Sequence, residues 1–287
     1  MSKIAHIINV TEINESKKAS YLHIAQPVTM KSMVIAQQMA QDVVDVDLVA
    51  VKHKNENVVC PPEFSWAEDL ENYAYDYIES LRNTSNKKPL PRLTDILNSL
   101  YKSSDAEYFI YTNLDIGLYP QFYLKIKEII ELGYDAFAIN RRDLPTEYDG
   151  ILLDDNKIEM IFTLKGLTHP GIDCFVFKRE IVPRLNLNNV YIGFPPVGQV
   201  LKHQIEINSQ NFIWLKNQIL TFHLGQEQGW NRGGIYQEEN RNQAQNLYTN
   251  CLSQIPPLHS RVEHKFKSWL LEKLSDDKQE IYQLNNN

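Results

Sequence analysis

The stretch Tyr108-Phe-Ile-Tyr-Thr-Asn-Leu-Asp-Ile-Gly-Leu-Tyr-Pro120 constrains this chain more than any other. Residues 108–111 form a short apolar run, which predicts a buried strand. Pro120 opens a segment in which Phe122, Tyr123, Ile126, Ile129 and Ile130 fall on one helical face. The strand end delivers Asn113 and Asp115, two residues apart, so on an extended backbone both side chains point the same way. α/β proteins hold ligands at such corners, because the core fixes the backbone while the side chains meet solvent. An Asn carbonyl and an Asp carboxylate together suit a hard divalent cation carrying a diphosphate. An Asx turn uses the same residue types, and local sequence alone leaves both readings open.

The segments around this corner complete an α/β pattern. Residues 3–10 read as a first strand. Gln26-Pro27 leads into a helix over 30–44 with Thr29 as its N-cap, and residues 47–51 form a second strand. Strand, helix and strand in succession imply a βαβ unit. Residues 55–88 read as an excursion holding one short helix, and a helix follows from Pro91. The Pro120 helix ends at Gly133, a C-cap. Residues 135–140 form a buried strand closed by Arg141-Arg142, and residues 154–164 a hairpin or irregular excursion. Pro170-Gly171 builds a tight turn before a strand reaching Phe177. A helix over 199–208 and one or two strands within 212–222 complete the core. The expected fold is α/β: three layers, α/β/α, with a mostly parallel central sheet, over residues 1–235. Residues 236–287 form a helical extension in which Leu247, Cys251, Phe266, Trp269, Leu270 and Leu274 dock.

Composition narrows the function. The chain has 287 residues, 43% of them hydrophobic, a formal charge of −7 and a pI of about 5.6. That balance argues against a general nucleic-acid binder, which needs a basic face to displace counterions. Cys60, Cys174 and Cys251 form no CxxC pair, so reduced, intracellular thiols are expected. The N-terminus is too short and polar for a secretory signal, and no apolar run is long enough to span a bilayer. The expected location is cytoplasmic, with peripheral membrane association left open. No Walker loop, GxSxG elbow or HExxH pair is present, which leaves ATPase, serine hydrolase and zincin chemistry without support.

Other residues carry chemistry by their placement. His223 follows an apolar run and precedes a glycine-containing loop, a position suited to a metal ligand or a phosphate contact, though also to a structural histidine. Asp173, two residues after Pro170-Gly171, is a candidate base for a hydroxyl nucleophile or a turn carboxylate. Arg141 and Arg142 point to opposite sides of an extended chain, so at most one clamps phosphate oxygens at a given site. Trp230 and the loop Gly193-Phe-Pro-Pro offer flat surfaces for a sugar or base ring.

The layout resembles a GT-A-type glycosyltransferase, a divergent member of the nucleotide-diphospho-sugar transferase superfamily. The resemblance rests on the N-terminal βαβ region, on Thr112-Asn-Leu-Asp115-Ile-Gly-Leu-Tyr-Pro120 in the place of the DxD region, and on His223 after the last core strands. Gly171-Ile-Asp-Cys-Phe-Val-Phe-Lys-Arg-Glu180 is similar to the family's acceptor-side strand. It implies a Rossmann-related fold over roughly 3–230 and transfer of a hexose from a nucleotide-diphospho-sugar to a hydroxyl acceptor. The acceptor would be a saccharide, a lipid-linked saccharide or a protein, as in polysaccharide biosynthesis. Asn9, Pro27 and Thr29 would receive the nucleoside. Asp115, with Asn113 and His223, would hold Mg²⁺ or Mn²⁺, Arg141 or Arg142 would meet phosphate, and Asp173 would be the base. The chain departs from the pattern at Asn113, where the family has its first aspartate. It departs again at Gly-Phe-Pro-Pro-Val-Gly198, which lacks the acidic pair many inverting members carry. Two alternatives remain: a sugar nucleotidyltransferase, for which Lys17 and Lys18 supply charge but no glycine loop, and a non-catalytic sugar- or nucleotide-binding relative, which Asn113 favours.

Overall fold

The computed structural model describes residues 3–13, 21–224 and 234–252, with side chains to 247. Its first unit is β1 (Lys3–Asn9), α1 (Leu22–Ala40) and β2 (Asp45–Val51), with β1 and β2 parallel in register from Lys3↔Asp45 to Asn9↔Val51. β3 (Phe64–Trp66), α2 (Ala74–Tyr77) and α3 (Glu79–Arg82) make up the excursion, and α4 (Leu93–Ser103) follows. Next come β4 (Tyr108–Thr112), β5 (Ile116–Leu118), α5 (Phe122–Glu131) and β6 (Ala136–Leu144). A hairpin of β7 (Glu147–Tyr148) and β8 (Ile151–Leu152) precedes α6 (Ile158–Thr163). The chain then forms β9 (Leu167–Lys178), α7 (Val197–Asn208), β10 (Phe212–Leu215), β11 (Thr221–Leu224) and α8 (Ile235–Leu252).

One nine-stranded sheet runs in the order β3-β2-β1-β4-β9-β6-β11-β5, with β10 also on β6. Pairs β1–β2, β2–β3, β1–β4, β6–β10 and β6–β11 are parallel, while β4–β9, β6–β9 and β5–β11 are antiparallel. Successive side chains of a strand face opposite sides, and the apolar residues divide accordingly. Phe109, Tyr111, Ala136, Ala138, Phe175 and Phe177 pack with Leu93, Ile96, Leu97, Val200, Leu201, Ala244 and Leu247 of α4, α7 and α8. Ile110, Phe137, Ile139 and Val176 pack on the other face with Met33 and Ala36 of α1 and Phe122, Tyr123 and Ile126 of α5. This is the three-layer α/β/α architecture. Among the described residues, no helix is long and apolar enough to cross a membrane.

The excursion holds a strand and two short helices in place of the one helix expected, and four further local expectations change. α1 begins at Leu22, so Thr29 is a buried residue of the helix interior and no cap, and Pro27 lies inside the helix. Proline costs one ladder hydrogen bond there. Burial of Ala25, Val28 and Met30 and the two bonds between the Gln26 amide and the Thr11 backbone hold the turn helical regardless. β6 does not stop at Asn140 but runs through Arg141 and Arg142, because β9 and β11 ladder both edges of that stretch. Pro170-Gly171 forms no turn. The two residues lie inside β9, where the register slips from Asn140↔Ile172 to Arg142↔Thr168. A bulge tolerates a residue with no N–H to give, so the strand absorbs its proline. Residues 154–164 contain α6, and the hairpin lies before them.

Candidate active site

β1, β4 and β6 run in one direction, and their C-terminal ends carry Asn9, Asn113 and the Arg141–Asp143 stretch. The buried run of β4 fixes the backbone up to Thr112, and the Asn113 N–H then donates to the Asp173 carbonyl at 3.4 Å. Beyond the corner the chain returns as β5, pairing His223 with Ile116 and Phe222 with Gly117. This antiparallel pair seats Asp115 against β11. Gly117 is required for it, since a Cβ there would lie 2.2 Å from the Phe222 ring. The result is a separation of 3.4 Å between Asp115 Oδ2 and His223 Nε2, across more than a hundred residues of sequence.

The same geometry draws in β6 and β9. Arg141 Nε donates to Asp143 Oδ1 at 2.9 Å, and an Arg141 NH donates to Asp173 Oδ2 at 2.7 Å. Asp173 Oδ1 accepts from the Asn113 amide at 2.9 Å, and the Tyr111 hydroxyl donates to Asn113 Oδ1 at 2.9 Å. His223 Nδ1 lies 3.8 Å from Asp143 Oδ1, and His169 Nε2 lies 3.9 Å from Asp143 Oδ2. Seven side chains thus form one chain of polar contacts: Tyr111, Asn113, Asp173, Arg141, Asp143, His223 and Asp115. Burial raises the cost of each charge, and opposite charge offsets it. Burial alone pushes the Asp115 carboxyl up, but the His223 hydrogen bond and charge together with the Arg141 guanidinium hold it below its ordinary value. Burial works against the Arg141 charge, and Asp173 and Asp143 overcome it. Burial and the neighbouring Arg141 push His169 below its ordinary value.

The expected site residues separate into groups. Asn113, Asp115, Arg141, Asp173 and His223 converge. Arg142 turns away, donating to the carbonyls of Lys165 and Gly166. The register continuing from Ile7↔Tyr111 puts Asn9 level with Asn113, but its amide donates to the Val51 carbonyl. Pro27 and Thr29 lie within α1. Trp230, Lys17 and Lys18 lie outside the described residues. Sequence reasoning passes over Asp143 and Tyr111 as site residues and meets His169 only as the start of the cluster that ends at Asp173. For Asp143 a signal existed: it is two residues from Arg141, so a strand continuing past Asn140 puts both on one side.

Three proteinaceous ligands for a cation do not converge among the described residues. The Asn113 carboxamide is committed to Tyr111 and Asp173. Asp115 and His223 do fit a cation: their facing atoms are 3.4 Å apart, which two ligand bonds of about 2.1 Å span easily. The Asp115 side chain is 33% exposed, so solvent reaches it. Among the described residues, Asp115, Asp143 and Asp173 gather around the Arg141 guanidinium, and a dication would add to the positive charge that holds them.

No protein-family model matches the chain, and no curated protein matches its sequence. Solved structures do match its fold. S. aureus TarS 1-349 in complex with UDP-GlcNAc is similar over 92% of this chain and 71% of its own, with a TM-score of 0.52 at 11% identity. A second structure of S. aureus TarS 1-349 gives a TM-score of 0.54 at 10% identity, over 99% of this chain and 75% of its own. The chain has the fold of the GT-A glycosyltransferases. A slighter likeness, with a TM-score of 0.43 at 10% identity over 89% and 82%, is to M. tuberculosis glucosyl-3-phosphoglycerate synthase. In this chain the strand-end corner and the β5–β11 pair bring Asp115 and His223 face to face.

Proposed function

We propose that this protein transfers a sugar from a nucleotide-diphospho-sugar to a hydroxyl acceptor, assisted by Mg²⁺ or Mn²⁺. The observation that carries this reading is the meeting of Asp115 and His223 at 3.4 Å on the C-terminal edge of the sheet, with Arg141 behind them. Asp115 and His223 would hold the cation, which when bound neutralises charge gathering on the departing diphosphate. Arg141, fixed by two carboxylates, offers a preorganised positive charge that favours the phosphates from behind the site. Asn9 at the end of β1 borders the space for the nucleoside.

Asp173 is the proposed base. Its two hydrogen bonds fix its rotamer and leave one lone pair on each oxygen for an acceptor hydroxyl. A contact supports its location. α7 packs so tightly on β9 that a Cβ at Gly198 would lie 2.4 Å from the Ile172 carbonyl. Asp173 therefore stands beside the start of α7, where the chain has no acidic residue of its own. A non-catalytic relative is the second reading, favoured by one observation: the Asn113 amide is consumed within the protein.

Calorimetric titration of UDP- and GDP-sugars, with and without Mn²⁺, tests the proposal. Donor binding that strengthens with Mn²⁺ and is lost in Asp115→Ala is the expected result. Binding indifferent to both the ion and Asp115 eliminates it. Slow metal-dependent release of nucleoside diphosphate distinguishes the enzyme from a binding relative, which holds donor without turnover.

A further inference from the structure

Asp143 lies where three basic side chains meet, and the proposed chemistry uses only its bond to Arg141. Its Oδ1 accepts from Arg141 Nε at 2.9 Å and lies 3.8 Å from His223 Nδ1. Its Oδ2 faces His169 Nε2 at 3.9 Å. The His169 tautomer follows from its other nitrogen: Nδ1 accepts the Gly171 N–H at 2.9 Å, so in the neutral ring Nε2 carries the proton and aims it at Asp143. His223 Nδ1 is buried and has no hydrogen-bond partner among the described residues, and the Asp143 carboxylate stands before it. A shift of under ~1 Å would close that gap to a hydrogen bond.

These contacts give Asp143 a definite task. An imidazole between two carboxylates can present either nitrogen outward, and only one arrangement leaves a lone pair for a cation. If Nδ1 holds the proton and gives it to Asp143, Nε2 is free on the side of Asp115. Carboxylates behind metal-binding histidines act in this way, fixing the ring and raising its basicity. We propose that Asp143 is a positioning residue that fixes His223 with its proton on Nδ1 and holds Arg141 beside it, so that one carboxylate aligns the cation-binding and phosphate-binding arms of the site. This rests on the reading of Asp115 and His223 as cation ligands. Asp143 touches no reacting atom.

The test combines Mn²⁺ titration with nitrogen-15 NMR of the histidine rings, on the full chain and without donor. Asp143→Asn keeps the shape and removes the charge. It should weaken Mn²⁺ by roughly 10–100-fold, the range for lost outer partners of metal-binding histidines. In the wild-type protein at pH 8 with saturating Mg²⁺, the His223 ring, assigned by the signal missing in His223→Gln, should bind the ion through Nε2 and carry its proton on Nδ1. Equal Mn²⁺ affinity in wild type and Asp143→Asn overturns the proposal while leaving the cation site standing. A His223 that binds Mg²⁺ through Nδ1, or whose Nδ1 proton shows no hydrogen bond to a carboxylate, also overturns it, and this measurement decides the matter even if Asp143→Asn fails to fold. Absence of Mn²⁺ binding by the wild type removes the parent reading and this one with it.

Discussion

On β6 two adjacent arginines meet different surroundings. Arg141 is buried and ion-paired to Asp143 and Asp173, whereas Arg142 reaches two loop carbonyls. Removing one partner of a buried pair leaves the other charges uncompensated, typically at a cost of about 3–5 kcal/mol. Arg141→Met should lose stability on that scale in urea unfolding. It should also weaken donor by roughly tenfold or more, since a hydrogen bond to a charged group contributes about 1.5–3 kcal/mol. Arg142→Ala should leave donor affinity unchanged in the same titration. Asp173→Asn keeps its shape and loses its basicity. Turnover should fall by about 10²–10⁴, the usual contribution of general base catalysis, with little change in donor affinity. Equal losses of binding and turnover would make Asp173 an anchor for Arg141 and not a base. Sequence alternation already limits the arginine pair to one site residue, but which of the two it is follows from the register of β6 with β9 and β11.

At the scale of elements, the three-residue strand β5 decides the site. It is too short to announce itself among the polar residues of its corner, and its partner β11 is a hundred residues distant in sequence. The signal that survives is Gly117, which the Phe222 ring requires. Gly117→Ala forces the ring or the strand aside, and overpacking of this kind costs roughly 1–3 kcal/mol. The expected outcome is a lower unfolding midpoint together with loss of Mn²⁺ affinity, because the same pairing seats Asp115 against His223. A variant with intact Mn²⁺ affinity would show that the corner is held by something other than β5. Proline misleads at this scale. Pro27 and Pro170 both read as boundaries from sequence, and both lie inside elements that neighbouring strands and buried side chains hold in place.

Across the whole molecule, the core ties the site to β1 through one polar path. His6 is fully buried, with Nδ1 2.8 Å from the Tyr123 hydroxyl and Nε2 2.9 Å from Thr112 Oγ1, directly before Asn113. Burial lowers its pKa from 6.5 to about 3. In the unfolded chain the same ring takes up a proton below about pH 6.5. Between these values the unfolded state binds more protons, so stability falls as pH falls, by up to about 1.4 kcal/mol per pH unit from this residue. Urea midpoints of wild type from pH 7 to pH 4 should therefore drop more steeply than those of His6→Gln. Parallel slopes would show that His6 is not held neutral in the core.

The amino-acid sequence by itself determined the α/β class, the order of most elements and the corner at Asn113 and Asp115. Those rest on hydrophobic periodicity and on proline and glycine punctuation, which are local properties of a chain. Only the tertiary structure decided that β6 continues through Arg141 to Asp143, that Asn113 turns inward to Asp173, and that Asp143 and His169 join the site. Each depends on which strand lies beside which, and at what register. A carboxylate gains its partner from a strand many residues away, so its role is fixed when the sheet closes and not before.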